Sequence, residues 1–537
     1  MGALAVRSRI EARPEPGLER LYDPLLDDLV HGGPLARERF PVRWDDDAGL
    51  SALAAAKRRA LPRELSAEMT EYHRRLGASA ASLAALDRLA RGEAVCTVAG
   101  QQPAPLGGPL YSLHKIAAAA GSSVVVRERT GTPCVPLFWM HGEDSDFTEI
   151  RGASLADPGL ALHELELPAT AHGDGQLVGG IATAPLEALQ RRALAVWAGL
   201  PGEGEARVLL ERSLERARDL GEAFSALVLA LFPSQGVVVA DPRLPAFRAA
   251  ARPVLERYFD RAPALAEAAR RAGARLEAAL GRRPLADHAL DSFVFAILDG
   301  TRRKVTPEEA RALGPAAPLS PSVALRPVVQ DHVFPTVAMA CGPGETAYLA
   351  QLREVFEGLE VRPACPMPRL SATWLPPAAA TLIEASGAGA WAVISGADAA
   401  LRRVAETRMP PGVLPSLARA RTQAVEGLAR FAELARQVDA SLPQMVESAR
   451  GKVDYQFARL EEGLIAKVRH VLERQHPEWL RLRYYLLPGD RLQERRLASL
   501  EVVARRGATA VGELCELAAD HARRVAAGTL EHLVVDL

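Results

Sequence analysis

The sequence predicts an α/β protein: a parallel-sheet core with inserted subdomains, followed by an α-helical antiparallel coiled coil. Three observations carry that reading. A strand–helix–strand pattern occupies about residues 94–140 and returns near 336–369. Short β-rich and helical stretches separate the two units. A charged helical stripe then runs from Pro415 to Gln475.

Taken in order, the first ninety or so residues are mostly helical in pattern. LSAEMTEYHRRLGASAASLAALDRLARG keeps apolar residues at helical spacing up to a stop at Gly92. AVCTVAG (Ala94–Gly100) is β-rich and suits a buried strand. From about Pro109 to Arg129, Leu110, Leu113, Ile116, Ala117 and Ala120 form a helical stripe. TPCVPLFWM (Thr132–Met140) reads as a second buried strand, and strand–helix–strand crossovers are right-handed in a parallel sheet. LHELELP and QLVGGIATAP read as small β segments of an insertion. QGVVVADP (Gln235–Pro242) is a further strand, and FVFAILDGTRRKV a hairpin turning at Asp299-Gly300. Thr306-Pro307-Glu308-Glu309 starts a capped helix. TVAMACGPGE runs from a strand into a Gly-rich turn, TAYLAQLREVFEGLE is a helix, and VRPACPMPR (Val361–Arg369) a short strand. The expected boundaries are a core over 1–376, with insertions at about 151–235 and 243–320, and a helical domain over 377–537. In that second domain Leu417, Ala424, Leu428, Phe431, Ala435 and Val438 recur in steps of three, four or seven. Val446, Ala449, Val453, Phe457, Leu460, Leu464, Val468 and Val471 do the same beyond Ser441-Leu442-Pro443, which predicts two antiparallel helices. Such a hairpin can pair within the chain or dimerise.

Composition narrows the function. Sixty-five Lys+Arg against 66 Asp+Glu, a net charge of -1, argues against a nucleic-acid binder working by bulk basic charge. No apolar run reaches the roughly 18–20 residues of a membrane span, and MGALAVRSRIEARPEP lacks a signal-peptide core. Five cysteines without a CxxC (Cys96, Cys134, Cys341, Cys365, Cys515) fit a reduced, cytoplasmic chain with no metal site.

Parallel sheets bind ligands at the carboxyl ends of their strands, where four stretches are expected: Gly100–Gly108, His141–Asp146, Asp241 and Gly342–Glu345. In VAGQQPAPLGGPLYSLHK, Gln101 and Gln102 end a strand. Gly108 and Pro109 would open a helix whose free N–H groups suit an anion, with His114 and Lys115 in its early turns. A plain turn followed by solvated His-Lys is the alternative. In HGEDSDF, Glu143, Asp144 and Asp146 crowd carboxylates at a strand end. They suit a general base, an ammonium site or magnesium; a solvated loop with a capping Asp reads equally well. Arg326 and Arg369 carry guanidinium groups suited to carboxylate or phosphate. Gly342 and Gly344 permit a tight turn, and Glu345 either caps the helix or holds a substrate amine.

VAGQQPAPLGGPLYSLHK, VPLFWMHGEDSDFTEI, LRPVVQDHVFPTVAMACGPGETAYLAQL, MPRLSAT and QERRL together resemble the cysteine-adding enzymes of bacillithiol biosynthesis, in order and across essentially the whole chain. That resemblance implies a Rossmann-like core reminiscent of nucleotidyl transferases, plus a dimerising coiled coil. The implied reaction joins the carboxylate of L-cysteine to the amine of glucosaminyl-malate in a cytoplasmic homodimer, with ATP or another nucleotide and magnesium as expected cofactors. By motif match it makes Lys115, His114, Glu143 and Asp144 catalytic. It makes Gln101, Gln102, Gly108, Pro109, Asp146, Arg326, Gly342, Gly344, Glu345 and Arg369 binding residues, and His141, beside the acidic motif, is counted with them. The acidic motif of relatives reads EDHD where this chain has Ser145, which shifts attention to His141 as the nearby imidazole. Two other readings stay open: a related enzyme activating another small carboxylic acid, and a non-catalytic coiled-coil scaffold.

Overall fold

The computed structural model describes residues 4–15, 18–386 and 397–537. Parts of two stretches read above, the opening MGALAVRSRIEARPEP and the segment after Pro376, lie outside the described residues. The chain divides into two compact units, one of residues 1–158, 162–376 and 491–537, the other of 159–161 and 377–490.

The first unit is built on a five-stranded sheet of Val95–Gln101, Cys134–Met140, Val238–Ala240, Thr336–Cys341 and Cys365–Pro368. All neighbours are parallel. Numbered along the chain, their spatial order is 3-2-1-4-5, the doubly wound arrangement of Rossmann-like folds. The sequence encodes both faces through the two-residue period of a strand. Cys96 and Val98 enter one core with Val135, Leu137, Trp139, Met339 and Cys341. Val95 and Ala99 enter the other with Ala338 and Ala340. The helix Pro245–Leu280 supplies Phe247, Val254 and Tyr258 to the first core. Ala118, Val125 and Val126 of the helix Leu110–Thr130 line the second. This helix packs so closely on Thr509–Ala526 that a Cβ on Gly121 would stand 2.4 Å from the Ala519 backbone nitrogen.

Several expectations need correcting. The stretch ending at Gly92 is two helices, Arg63–Arg75 and Ala80–Ala90, because Gly77 turns at φ +79°. QLVGGIATAP forms no strand; Val178–Gly180 is a 3-10 turn. Leu162–Glu166 does form one, antiparallel to Gly152–Ala156. TAYLAQLREVFEGLE breaks at Leu352 into Pro343–Gln351 and Arg353–Gly358. The hairpin Val294–Leu298/Thr301–Lys304 forms with Leu298 opposite Thr301, and Thr306 and Glu309 make the capping box.

The largest departure is the C-terminus. Residues 491–537 belong to the first unit, not to the helical domain expected over 377–537. Glu531–Asp536 pairs with both Ala5–Glu11 and Ser371–Leu375, so the last strand forms part of the first unit. A strand of only six residues, set against partners some 160 and 520 positions away, has no local signature.

The second unit contains Val413–Ala435 and Leu442–Gln475. They pack on each other, and Arg421 pairs with Asp454 through two bonds of 2.7 and 2.9 Å. Only part of the predicted seam is internal. Ala435 and Val446 are buried, whereas Phe431, Val438, Leu460 and Val471 are exposed.

Candidate functional site

In a 3-2-1-4-5 sheet the strand order reverses between strands one and four, and a crevice opens beyond their carboxyl ends. Here that crevice is a cavity of about 700 Å³. Gln101 and Gln102 reach it from the first strand, and His141, Glu143 and Asp144 from the second. Gly342, Gly344 and Glu345 follow the fourth strand, and Arg369 the fifth. Lys115 and Arg326 line it from flanking helices. The inserted hairpin adds Arg302 and Lys304 to the wall. Six cationic side chains (Lys115, Arg302, Lys304, Arg326, Arg369, Arg495) face four carboxylates (Glu143, Asp144, Glu149, Glu345), so the lining favours an anion.

Lys115 is buried. Its Nζ donates to the Gly100 carbonyl at 3.1 Å and Gln101 Oε1 at 3.0 Å, and pairs with Glu345 Oε2 at 2.9 Å. Burial lowers its pKa against the opposing pull of Glu345. Glu345 also accepts from the Gly342 N–H at 3.0 Å, so it caps its helix and holds the lysine together.

Glu143 is buried with Arg248 as its partner at 2.8 Å. Desolvation nevertheless raises its pKa above the ordinary carboxylate value, the setting of a general base. Asp144 accepts from Gln102 Nε2 at 2.8 Å and Arg302 Nη1 at 3.3 Å, which ties the second strand end to the first and to the insertion. His141 is neutral, its pKa pushed well below 6.5 by burial and then by Arg326 and Lys115. Its Nε2 is buried without a hydrogen-bond partner. Ser145 does not line the cavity.

Arg326 is 5% exposed. Its guanidinium donates to the Tyr348 hydroxyl and to Gln330 Oε1. Among the described residues no carboxylate pairs with it. A buried guanidinium without a counterion costs free energy that a bound anion would offset.

Four of the predicted residues lie outside the cavity lining: Gly108, Pro109, His114 and Asp146. The helix start expected to receive an anion is covered by the chain itself. Leu110 N–H donates to Leu497 O at 2.7 Å, and Ser499 N–H to Gly108 O at 2.7 Å. His114 is fully buried with both ring nitrogens engaged: Nδ1 bonds Glu494 Oε2 at 2.9 Å, and Nε2 accepts from Trp374 Nε1 at 2.9 Å. It has no nitrogen left for proton transfer and instead supports the wall. Asp146 caps the short helix Phe147–Ile150 through the Glu149 N–H. Asp241 likewise sits behind the lining, bonded to Arg243 and Tyr72.

Arg369 lines the cavity, but its fork is taken. Nη2 donates to Glu494 Oε1 at 2.6 Å and Nη1 to Glu494 Oε2 at 3.2 Å, so Arg369 is not an open clamp. Glu494 is held well below the usual carboxylate pKa by Arg369 and His114, which overcome its burial. Glu494→Ala should cost about 3–5 kcal/mol of stability by leaving Arg369 buried and unpaired. Because the folded-state pKa of Glu494 is depressed, its contribution is present above the unfolded carboxylate pKa and lost as pH falls through the lower folded value. Denaturant unfolding should therefore show a gap between wild type and variant that is full at neutral pH and narrows in acid. An equal gap throughout would contradict this.

Sequence reasoning missed Tyr111, Arg248, Arg302 and the role of Glu494. Tyr111 lies one helical turn before Lys115 and its ring sits 5.5 Å from the lysine nitrogen, so i,i+4 spacing could have found it. Arg302 lies in the predicted hairpin, stacked 3.9 Å over Phe295. Nothing local marks Arg248 or brings Glu494 to Arg369.

Fold and site together define a Rossmann-like protein with a charged cleft at its switch point and a separate helical coiled-coil unit. The chain belongs to the bacillithiol biosynthesis BshC family. The family's N-terminal Rossmann-like domain matches residues 20–314 and 309–370, and its C-terminal coiled-coil domain residues 372–525. Similar relatives carry the name "Putative cysteine ligase BshC". The Koribacter versatilis protein is 31% identical over 83% of this chain and 85% of its own length. The Geobacillus kaustophilus protein is 30% identical over 88% and 91%, and the Solibacter usitatus protein 32% over 79% and 82%. No helix among the described residues is long and apolar enough to cross a membrane.

Proposed function

We propose that the cleft joins the carboxylate of L-cysteine to the amino group of glucosaminyl-malate, the last step of bacillithiol biosynthesis. The observation that carries this reading is Arg326, a buried cation without a carboxylate partner among the described residues, which lines the same cavity as Lys115 and the buried carboxylate Glu143. Arg326 anchors a malate carboxylate. Glu143 takes the proton released as the amine nitrogen bonds the cysteine carbonyl carbon. Lys115 would balance the negative charge as one carboxylate oxygen leaves with the group that activated it. All five cysteines are free and Cys96, Cys341, Cys365 and Cys515 are buried, which fits a reactive sulfur brought by the substrate.

ATP or another nucleotide would supply activation of the carboxylate. Lys115, on exchanging one of its present acceptors, and the start of the helix Pro343–Gln351, where Gly344 lines the cavity, are the groups suited to hold its phosphates. Among the described residues no three His, Cys, Asp or Glu side chains gather into a cation cage, so magnesium would enter with the nucleotide. Lys115→Ala should lower the rate of amide formation by about 10²–10³-fold, judged by the loss of one preorganised donor. A wild-type rate in the folded variant rejects the role.

The exposed Phe431, Val438, Leu460 and Val471 support a homodimer formed through the helical unit. Sedimentation should show a dimer, and Leu460→Glu with Val471→Glu a monomer. A monomeric wild type would rule the dimer out.

A further inference from the structure

The 3-10 turn Gln493–Arg495 is fastened to the strand Ser371–Leu375 by two buried side chains. The Gln493 amide pairs with the Trp374 backbone as a neighbouring strand would: Oε1 accepts from Trp374 N–H at 2.8 Å, and Nε2 donates to Trp374 O at 3.1 Å. Glu494 accepts from the Ala372 N–H at 3.2 Å in addition to its bonds with Arg369 and His114. Just beyond the turn, Ala498 N–H donates to Ser154 O at 3.0 Å. The backbone is therefore held on both sides, and the next side chain, Arg495, is exposed and lines the cavity.

The other five cations of the lining have partners. Lys115 pairs with Glu345, Arg302 with Asp144, and Arg369 with Glu494. Lys304 donates to the His288 carbonyl, and Arg326 bonds Tyr348 and Gln330. Arg495 has neither an ion pair nor a side-chain hydrogen bond among the described residues. It lies close enough to Tyr111, on the same cavity wall, for its charge to counter the rise in the phenol pKa. A guanidinium with all its N–H donors free, on a fixed backbone at the rim of an anion-favouring cavity, fits a planar carboxylate.

We propose that Arg495 is a specificity-determining residue of the cleft and takes one carboxylate of a dicarboxylate-bearing substrate, while Arg326 takes the other. This rests on the reading of the cleft given above. The test uses the full chain, with L-malate as the probe in titration calorimetry and with steady-state kinetics on the amine substrate. Arg495→Ala should weaken malate binding about tenfold, the scale of one charge-assisted pair. It should raise KM by a similar factor and leave kcat within about twofold. Arg495→Lys should fall between, since it keeps the charge and loses the fork. Equal malate affinity in wild type and Arg495→Ala, or no malate binding by the wild type, overturns the proposal. The two readings fail separately. Product formed by wild type and Arg495→Ala with the same KM removes Arg495 and leaves the reaction standing. Malate binding that needs Arg495, in a protein that makes no amide product, keeps the site and removes the reaction.

Discussion

Glu143→Gln lowers kcat for amide formation by about 10²–10⁴-fold, the range for loss of a positioned general base, and leaves binding of the acidic substrate in place. The exchange keeps size and polarity, so Arg248 still has an acceptor 2.8 Å away, while the basic oxygen is lost. The pH profile carries the same information. Burial raises the Glu143 pKa, and a base acts only when deprotonated, so kcat/KM falls as pH drops through that raised value. The acid limb should stand above the ordinary carboxylate value of about 4.3, and should vanish in the residual activity of the variant. A limb at the ordinary value, or a variant with wild-type kcat, would move the base elsewhere, with Asp144 next in line.

Arg326→Met should separate function from stability. In the free protein this guanidinium is buried without a carboxylate partner among the described residues, so an apolar side chain of similar length removes a desolvated charge. Relief of the unpaired buried charge should offset the lost hydrogen bonds to Tyr348 and Gln330. The melting temperature should hold or rise. Affinity for the acidic substrate should fall by about 2–5 kcal/mol, a KM increase of at least about 30-fold. Lost activity accompanied by a large drop in melting temperature would make Arg326 a structural residue. Unchanged KM would leave the anion without its anchor.

The sequence makes the strand ends legible and leaves their partners hidden, for a physical reason. Apolar runs bounded by Gly and Pro place Gln101, His141, Gly342 and Arg369 at the carboxyl ends of parallel strands, and topology then gathers them at one crevice. That inference needs only local pattern and the rule for where such sheets bind ligands. Contacts set by the returning C-terminus have no local pattern. Leu497 covers the N–H group that made Gly108–Pro109 look like an anion site, and Glu494 occupies the fork that made Arg369 look like a clamp. His114 follows the same logic: beside Lys115 in sequence, it points to Glu494 and Trp374 because adjacent helical residues diverge by about 100°. The coiled-coil stripe was legible as amphipathic helix, but periodicity alone does not say which apolar positions face the neighbouring helix and which stay open.

The most direct measurement is the product itself. Wild-type protein and the Arg326→Met and Glu143→Gln variants are incubated with L-cysteine, glucosaminyl-malate, ATP and magnesium, and the mixtures are read by mass spectrometry. The account predicts a wild-type product whose mass equals the two substrates less one water, labelled when the cysteine is labelled, and reduced by at least about tenfold in both variants. No condensation product from the wild type, or equal amounts from all three proteins, would contradict it.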